Sequence, residues 1–351
     1  MVCGKQTVSK ESSPQRHGGT ESTESSVFPL CLCVSVVHRF FICTAVALIF
    51  ATSAGAAPAK RWFKGNLHTH TTESDGDSSP ADVVQWYRDQ KYDFLAITDH
   101  DKLTRLDAPG ILLIPSEEVT DRLGKKPIHV NAIGIREVVM PQGGTSATDV
   151  LQRDIRAVRA AGGVPLINHP NFVWAFGADD IRPLADVTLL EIASGHPLVN
   201  SGGGGGWPSS EEIWDSLLTS GKRIYAVGVD DSHHFKKPGE RDAAPGRAWV
   251  VVRAAALDQS QIVAALDAGD FYASTGPEID EYAVANGTIN VRVKQYSLNK
   301  YRIVFIGSAG RVLHTSNELE AAYKLKGGEG YVRVKVSDSN GGTAWLQPLW
   351  P

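Results

Sequence analysis

Histidines and carboxylates recur in this chain just behind short apolar runs. His68 and His70 stand two apart after Leu67, in Gly65-Asn66-Leu67-His68-Thr69-His70. In a strand, residues two apart face the same side, so two imidazoles can serve one metal ion. Asp75-Gly76 follows as a turn, in a loop able to fold back over the same place. A lone His-x-His pair is as readily an ordinary surface feature as a ligand pair. Its weight comes from the rest of the chain. Phe94 to Thr98 leads into Asp99-His100-Asp101, and Ile111 to Pro115 into Ser116-Glu117-Glu118. Ile128 to Ile133 carries His129, and Val164 to Ile167 ends in Asn168-His169-Pro170. Ile224 to Val229 ends in Asp230-Asp231-Ser232-His233-His234.

The candidates are therefore His68, His70, Asp75, His100, Glu118, His129, His169, Asp231 and His233. Neutral imidazole and carboxylate are ligands that zinc, manganese and iron accept. The set exceeds what one tetrahedral ion needs and suffices for about two or three ions if a carboxylate bridges. Neighbouring cations acidify a shared water and clamp the oxygens of a displacement at phosphorus or carbon. No Ser-His-Asp order stands out, so a metal-held hydroxide is the most economical nucleophile. Asp99 reads either as a partner orienting an imidazole or as a strand-end cap. His196 and His234 read as pocket rim or surface. Gly202 to Gly206 lacks the Lys-Ser/Thr of a phosphate loop and reads as a mobile loop near the pocket mouth. Lys236, Lys237, Arg241 and Arg247 read as a solvated loop rather than an anion grip. The tryptophans read as core or rim.

These residues need a scaffold that brings strand ends together. Strands at 94–98, 111–115, 164–167, 187–192 and 224–229 alternate with helices opened by Ser79-Pro80, spanning about 147–161, and opened by Ser209-Ser210. That alternation predicts a parallel β/α architecture, in which reactive residues gather at the C-terminal strand ends. A strand at 247–252, a helix over about 258–268 and Phe271-Tyr272 complete this layer. From about Glu278 the pattern changes to short alternating strands at 288–293, 301–306 and 331–336, separated by Gly, Asn and Ser. This predicts a small all-β domain over 278–351, of sandwich type.

The chain has 351 residues, 42% hydrophobic and 21% charged, room for one large and one small domain. A net charge of −4 gives no electrostatic case for nucleic acid. Residues 1–57 read as a disordered leader followed by a signal peptide: His38-Arg39, an apolar run from Phe40 to Ala51, then Ala54-Gly55-Ala56-Ala57. The expectation is a periplasmic or extracellular protein, touching membrane only through an uncleaved leader. Translation starting at Val36 or Val37 would put the basic pair at the N-terminus. Cys3, Cys31, Cys33 and Cys43 all precede the expected cleavage point, so a cleaved chain carries no thiol.

The motifs HTHTTESDG, AITDHD, the Glu118 segment, IHVNAIG, INHP and DDSH occur in one order along residues 62–277. In this the chain resembles the PHP family, named for polymerase and histidinol phosphatase, and most of all its carbaryl-hydrolase-like branch. The resemblance implies a distorted (β/α)7 TIM-like barrel over 58–277 and a trinuclear metal site. It implies that His68, His70, Glu118 and Asp231 hold a first ion. Glu118 would bridge to a second ion on His129 and His169, and Asp75, His100 and His233 would hold a third. Asp75 stands where some members have His. Glu118 is preferred over Glu117 because a Val-Thr pair follows it directly. Glu118 and Asp231 are also the expected catalytic residues. The expected function is an exported metal-dependent phosphoesterase acting on a small phosphate ester. A carbamate, amide or ester hydrolase using the same site is the alternative. A rival of another class is a binding protein with a structural metal site.

Overall fold

A computed structural model describes residues 59–351; the leader and signal segment expected over 1–57 lie outside the described residues. No helix among the described residues is long and apolar enough to cross a membrane. The chain begins with β1 (Arg61–Asn66), α1 (Pro80–Asp89), β2 (Phe94–Leu95), β3 (Leu112–Leu113), β4 (Ser116–Leu123) and β5 (Lys126–Ile133). It continues through α2 (Ala147–Ala160), β6 (Val164–Ile167), α3 (Ala178–Ile181), β7 (Leu189–Ser194), α4 (Ser210–Thr219) and β8 (Tyr225–Val229). Next come β9 (Trp249–Ala254), α5 (Gln259–Ala268), β10 (Phe271–Ser274), β11 (Ile279–Ala285), β12 (Thr288–Val293) and β13 (Tyr301–Gly307). The last strands are β14 (Arg311–Ser316), β15 (Glu320–Lys324), β16 (Val332–Asp338) and β17 (Thr343–Leu349).

The helices start and stop where their side chains satisfy backbone groups. Ser79, Ser146 and Ser209 each accept an N–H of the first turn in α1, α2 and α4, and Asp258 does so in α5. Gly269 closes α5 in the left-handed conformation that favours glycine. The buried face of α2 is Val150, Leu151, Ile155 and Val158, a helical spacing that lies on the sheet formed by its neighbours.

The strands form a mixed set of open sheets rather than a clearly closed ring. One sheet runs β4-β5-β6-β7-β8, and another runs β14-β13-β16-β17-β10-β9-β1-β2-β3. The physical reason is local. β4 and β5 are a hairpin turned by Gly124-Lys125, so they pair antiparallel, and β5 also meets β6 antiparallel. β9 runs antiparallel to β1. Only β1-β2-β3 and β6-β7-β8 keep the parallel pairing that the helix–strand alternation predicts. The two sheets still share one interior. Phe63, Leu67, Phe94, Ile133, Leu166, Leu189, Val227 and Val250 belong to a single buried cluster. Two single-residue bridges, Thr69 to Ser232 and His100 to Glu118, also tie the sheets together, at the end that carries the ligand candidates.

The C-terminal strands make a two-layer β unit. β11-β12-β15 forms the smaller layer, and Ile289, Val291 and Tyr323 share a core with Ile303, Val334 and Leu346 of the larger sheet. That larger sheet is continuous past residue 277, because β17 pairs with β10. β17 also reaches β8. Gln347 accepts from the Ala226 N–H at 2.8 Å and donates to the Ala226 carbonyl at 2.8 Å, acting as a stitch on a strand edge.

Candidate metal centre

His68 and His70 lie just beyond β1, not within a strand as the sequence suggested. They keep strand-like alternation because their backbone is held on both sides. Asn66 Oδ1 accepts from the His68 N–H at 3.0 Å, and Thr98 Oγ1 from the Thr69 N–H at 3.1 Å. On the other side the Asp231 N–H donates to the His68 carbonyl and the His70 N–H to the Ser232 carbonyl, both at 2.9 Å. Both imidazoles are fully buried and point to one place.

Glu118 stands at the middle of that place. Its Oε2 lies 3.5 Å from His68 Nε2, 3.4 Å from His70 Nε2 and 3.0 Å from His100 Nδ1. Its Oε1 lies 2.9 Å from His129 Nδ1 and 3.3 Å from His169 Nε2. Strand alternation separates it from its neighbour. Glu117 turns to the opposite face and accepts from the Val139 N–H, away from every imidazole of the centre.

Asp75 arrives from the loop after His70. It lies 3.3 Å from His233 Nε2, 3.4 Å from His100 Nε2 and 3.5 Å from His70 Nδ1. The loop is tightly wound. The Gly76 N–H donates to the Thr71 carbonyl, and a Cβ on Gly76 would sit 2.6 Å from the His70 carbonyl oxygen. Asp99 fastens the same loop, accepting from the Thr71 N–H at 2.7 Å, Thr71 Oγ1 at 2.8 Å and Ser74 Oγ at 2.8 Å. Of its two expected roles it takes neither imidazole partner nor simple cap; it anchors the loop that carries Asp75.

Asp231 follows β8 and is left-handed at φ 48°, a conformation Asp tolerates better than most residues. Its Oδ1 is 3.3 Å from His68 Nε2 and 3.4 Å from His70 Nε2. Asp230 holds it there. This buried carboxylate accepts from the N–H groups of Gly246, Arg247 and Ala248 and from Tyr87 Oη.

Several partners escaped the sequence reading. Glu191, buried in β7, has Oε2 3.2 Å from His68 Nδ1. A carboxylate there fixes which ring nitrogen carries the proton and turns the other toward the centre. Asn168 donates to Glu118 Oε1 at 2.8 Å and to Asn131 Oδ1 at 2.8 Å, steadying the hub carboxylate. One signal was available: Glu191 interrupts the run Leu189-Leu190-Ile192, and a charge inside a buried strand requires a partner.

The weaker candidates fall outside this cluster. His196 packs against His233 and Phe172 at ring distances of 5.4 and 6.0 Å, on the rim. Arg247 donates to the carbonyls of Gly195, Gly239 and Glu240, and Lys236 to that of Asp77. Trp207, after the glycine run, stacks on Trp174 at 5.4 Å.

Electrostatics sharpen the geometry. Burial opposes charge on Glu118 and on Asp231, yet surrounding imidazoles hold both carboxylates well below their ordinary range. Burial likewise opposes charge on His68, but Asp231 and Glu118 hold it well above its ordinary value. His100 is carried up to about 10 by Asp75 and Glu118 against the same burial. Among the described residues, Asp75, Glu118, Asp231 and Glu191 form ion pairs only with histidines, never with Lys or Arg. The buried His68 Nε2 and His70 Nε2 have no hydrogen-bond partner. Converging imidazoles and carboxylates with no Lys or Arg among them suit divalent ions, which would displace the ring protons on binding. Ligand atoms lying within 4.8 Å of one another form four overlapping groups. They are His70, Asp75, His100 and His233; His68, His70 and Glu118; His68, His169 and Asp231; and His100, Glu118 and His129. Members are shared between groups rather than divided into three separate sets.

No protein-family model and no curated relative matches the chain. Solved structures give distant likenesses. One is a two-domain protein from Bacteroides vulgatus containing a predicted PHP-like metal-dependent phosphoesterase, at 16% identity and TM-score 0.47, over 82% of this chain and 95% of that one. A second is an amidohydrolase from Chromobacterium violaceum, with bound sulfate and no metal, at 16% identity and TM-score 0.36, over 51% of this chain and 89% of that one. A third, from Bifidobacterium adolescentis, is suggested to be a metal-dependent phosphoesterase, at 16% identity and TM-score 0.37, over 51% of this chain and 88% of that one. Likenesses this distant carry no argument about activity, which rests on the residues themselves.

Proposed function

We propose that this chain is a metal-dependent hydrolase of PHP type, acting as a phosphoesterase with two or three divalent zinc, manganese or iron ions. The observation that carries the reading is the charge balance of the centre: four carboxylates, six histidines and, among the described residues, no Lys or Arg paired to any of them. His68, His70, Glu118 and Asp231 would hold one ion, Glu118, His129 and His169 a second, and Asp75, His100 and His233 a third. When bound, such ions supply Lewis acidity and lower the pKa of a coordinated water. Glu191 and Asn168 fix the orientations of His68 and Glu118, so the ligand atoms are set before substrate arrives. Asp231 and Glu118 are the proposed catalytic carboxylates, acting through the ions they would hold. His196 lies on the rim beside His233.

The finer reading keeps the carbaryl-hydrolase-like branch of the family, a distorted ring of strands around one interior, and export by a cleaved leader. A second reading, hydrolysis of a carbamate, amide or carboxyl ester, is favoured by one observation. Arg247 and Lys236, two of the four cations that follow the Asp-x-His motif, are engaged by backbone carbonyls rather than held free for a phosphate. Metal analysis of the purified protein, then a screen of phosphate mono- and diesters, carbamates and esters with and without chelator, tests both. Chelator-sensitive turnover of phosphate esters is expected. Turnover confined to carbamates or esters would move the substrate class. No chelator-sensitive turnover at all would favour a binding protein with a structural metal.

A further inference from the structure

Away from the metal centre, a hollow of about 480 Å³ opens where β9 meets the C-terminal strands. Lys64, Trp249, Glu278, Lys294, Tyr296 and Asn299 are among its walls. A neighbouring hollow of about 470 Å³ shares Lys64, Trp249, Glu278 and Lys294, so the two run past the same four side chains. Each is of the size that takes a small ligand.

Lys64 is the unusual member. Its ammonium lies 4.1 Å from the centre of the Tyr92 ring and 4.0 Å from that of Trp249, held between two aromatic faces. Among the described residues it has no hydrogen-bond acceptor and no ion-pair partner, while Lys294 is paired to Glu278 at 2.7 Å. Burial pulls the Lys64 ammonium below its ordinary range, against the pull of Asp230, Glu278 and Asp93. A half-buried ammonium with three unused N–H groups faces a space large enough for a ligand to accept from them.

The other walls define that ligand. The first hollow carries two lysines, Lys64 and Lys294, and two carboxylates, Glu278 and Asp338, so it has no net charge to attract a multiply charged anion. It carries flat aromatic surface in Trp249 and in Tyr296, whose residue is 73% exposed on the loop between β12 and β13. That loop is shaped by its own bonds: Tyr301 Oη accepts from the Tyr296 N–H at 3.1 Å, and Gln295 Nε2 donates to the Ser297 and Asn299 carbonyls. Aromatic faces for stacking, donors and acceptors of both kinds at the edges and zero net charge suit a ring with C–H faces and a rim of hydroxyls.

We infer that this hollow binds a neutral oligosaccharide, with Tyr296 as the stacking surface, Trp249 as an apolar wall and Lys64 donating to ring or hydroxyl oxygens. The inference is independent of the reaction at the metal centre.

The test uses the full chain, metal-loaded and chelated, titrated with cellopentaose, maltopentaose and mannopentaose. Oligogalacturonate and heparin oligosaccharides serve as charged comparisons. At least one neutral probe should bind, equally with and without metal. Lys64→Met and Tyr296→Ala should each weaken that binding by about tenfold, the size of one lost charge-assisted bond or stacking contact. Tyr296 is exposed, so its variant folds even where Lys64→Met does not. Failure of all three neutral probes would overturn the proposal, as would binding confined to the charged probes. Binding indifferent to Tyr296→Ala, or lost on chelation, would overturn it too.

Discussion

Two clusters of buried charge sit in this chain, and they are built on opposite plans. Around Arg333 each carboxylate meets a permanent cation, although the Arg333 Nη1 itself has no hydrogen-bond partner. Its guanidinium donates to Asp215 at 2.7 and 2.6 Å and to Glu211 at 2.8 Å, Lys335 adds a bond to Glu211, and Tyr331 one to Asp215. Two carboxylates meet two permanent cations, and the group locks α4 to β16. Around Glu118 the charges are incomplete: among the described residues four carboxylates form ion pairs only with histidines, and two imidazole nitrogens have no hydrogen-bond partner. A cluster that closes on itself holds the fold. A cluster left open by fixed cations is arranged for ions that the sequence does not supply.

The contrast breaks most visibly at its hub. Glu118→Gln should lower kcat/KM by about a thousandfold or more, several kcal/mol of transition-state stabilisation. It should also lower metal content by more than one ion per chain, while His233→Ala chiefly weakens one. Elemental analysis of the three proteins decides it, and equal content in wild type and Glu118→Gln would remove the bridging role. Arg333→Met should do the reverse. Leaving Glu211 and Asp215 uncompensated should cost about 3 kcal/mol in denaturant unfolding. Metal content per folded chain should stay unchanged, and a fall in both would mean the clusters are coupled.

Smaller effects sharpen the comparison. Glu191→Gln keeps a polar group beside His68 Nδ1 but removes the charge that fixes its proton. Metal affinity should fall by about 10–100-fold, read by competition with a chelating dye, with stability nearly unchanged. Asp154 is a third kind of buried charge, with neither cation nor ion to meet it. It is fully buried in α2, accepts from the Gln142 N–H at 2.9 Å and leaves Oδ2 unpartnered. Burial, helped by Asp121 and Asp101 and opposed by that N–H, pushes its pKa up to about 7. Between its ordinary value and this one, the folded chain binds the extra proton, so stability falls as pH rises. Stability measured at about pH 5 and about pH 8 should therefore diverge, with Asp154→Asn gaining about 2 kcal/mol on wild type toward the higher pH. A gap that is constant with pH would show that Asp154 titrates normally.

The sequence disclosed residue types far better than pairing. His68, His70, His100, His129, His169 and His233 were legible because each follows or lies in an apolar run, and the structure draws them around Glu118. The antiparallel turn of β4 and β5 was not. Its Gly-Lys turn was visible, but helix–strand alternation elsewhere argued for parallel neighbours. β14 and β15 went unread for a different reason. Arg311–Ser316 and Glu320–Lys324 are largely exposed, so their residues carry little of the alternation that marks a half-buried strand. Asp230 and Asn168 looked like bystanders beside stronger ligands; what they support is visible only once three segments meet.

The Gln347 stitch sets an order in time. The chain emerges from the ribosome with His68 first, and β8, which delivers Asp231, is made more than a hundred residues before β17. Until β17 exists, Ala226 on the edge of β8 has neither the acceptor nor the donor that Gln347 supplies. A partly made chain thus carries every ligand residue while one strand beneath them still has an open edge. The strand that delivers Asp231 is thus finished, on that edge, by a side chain of the C-terminal β unit.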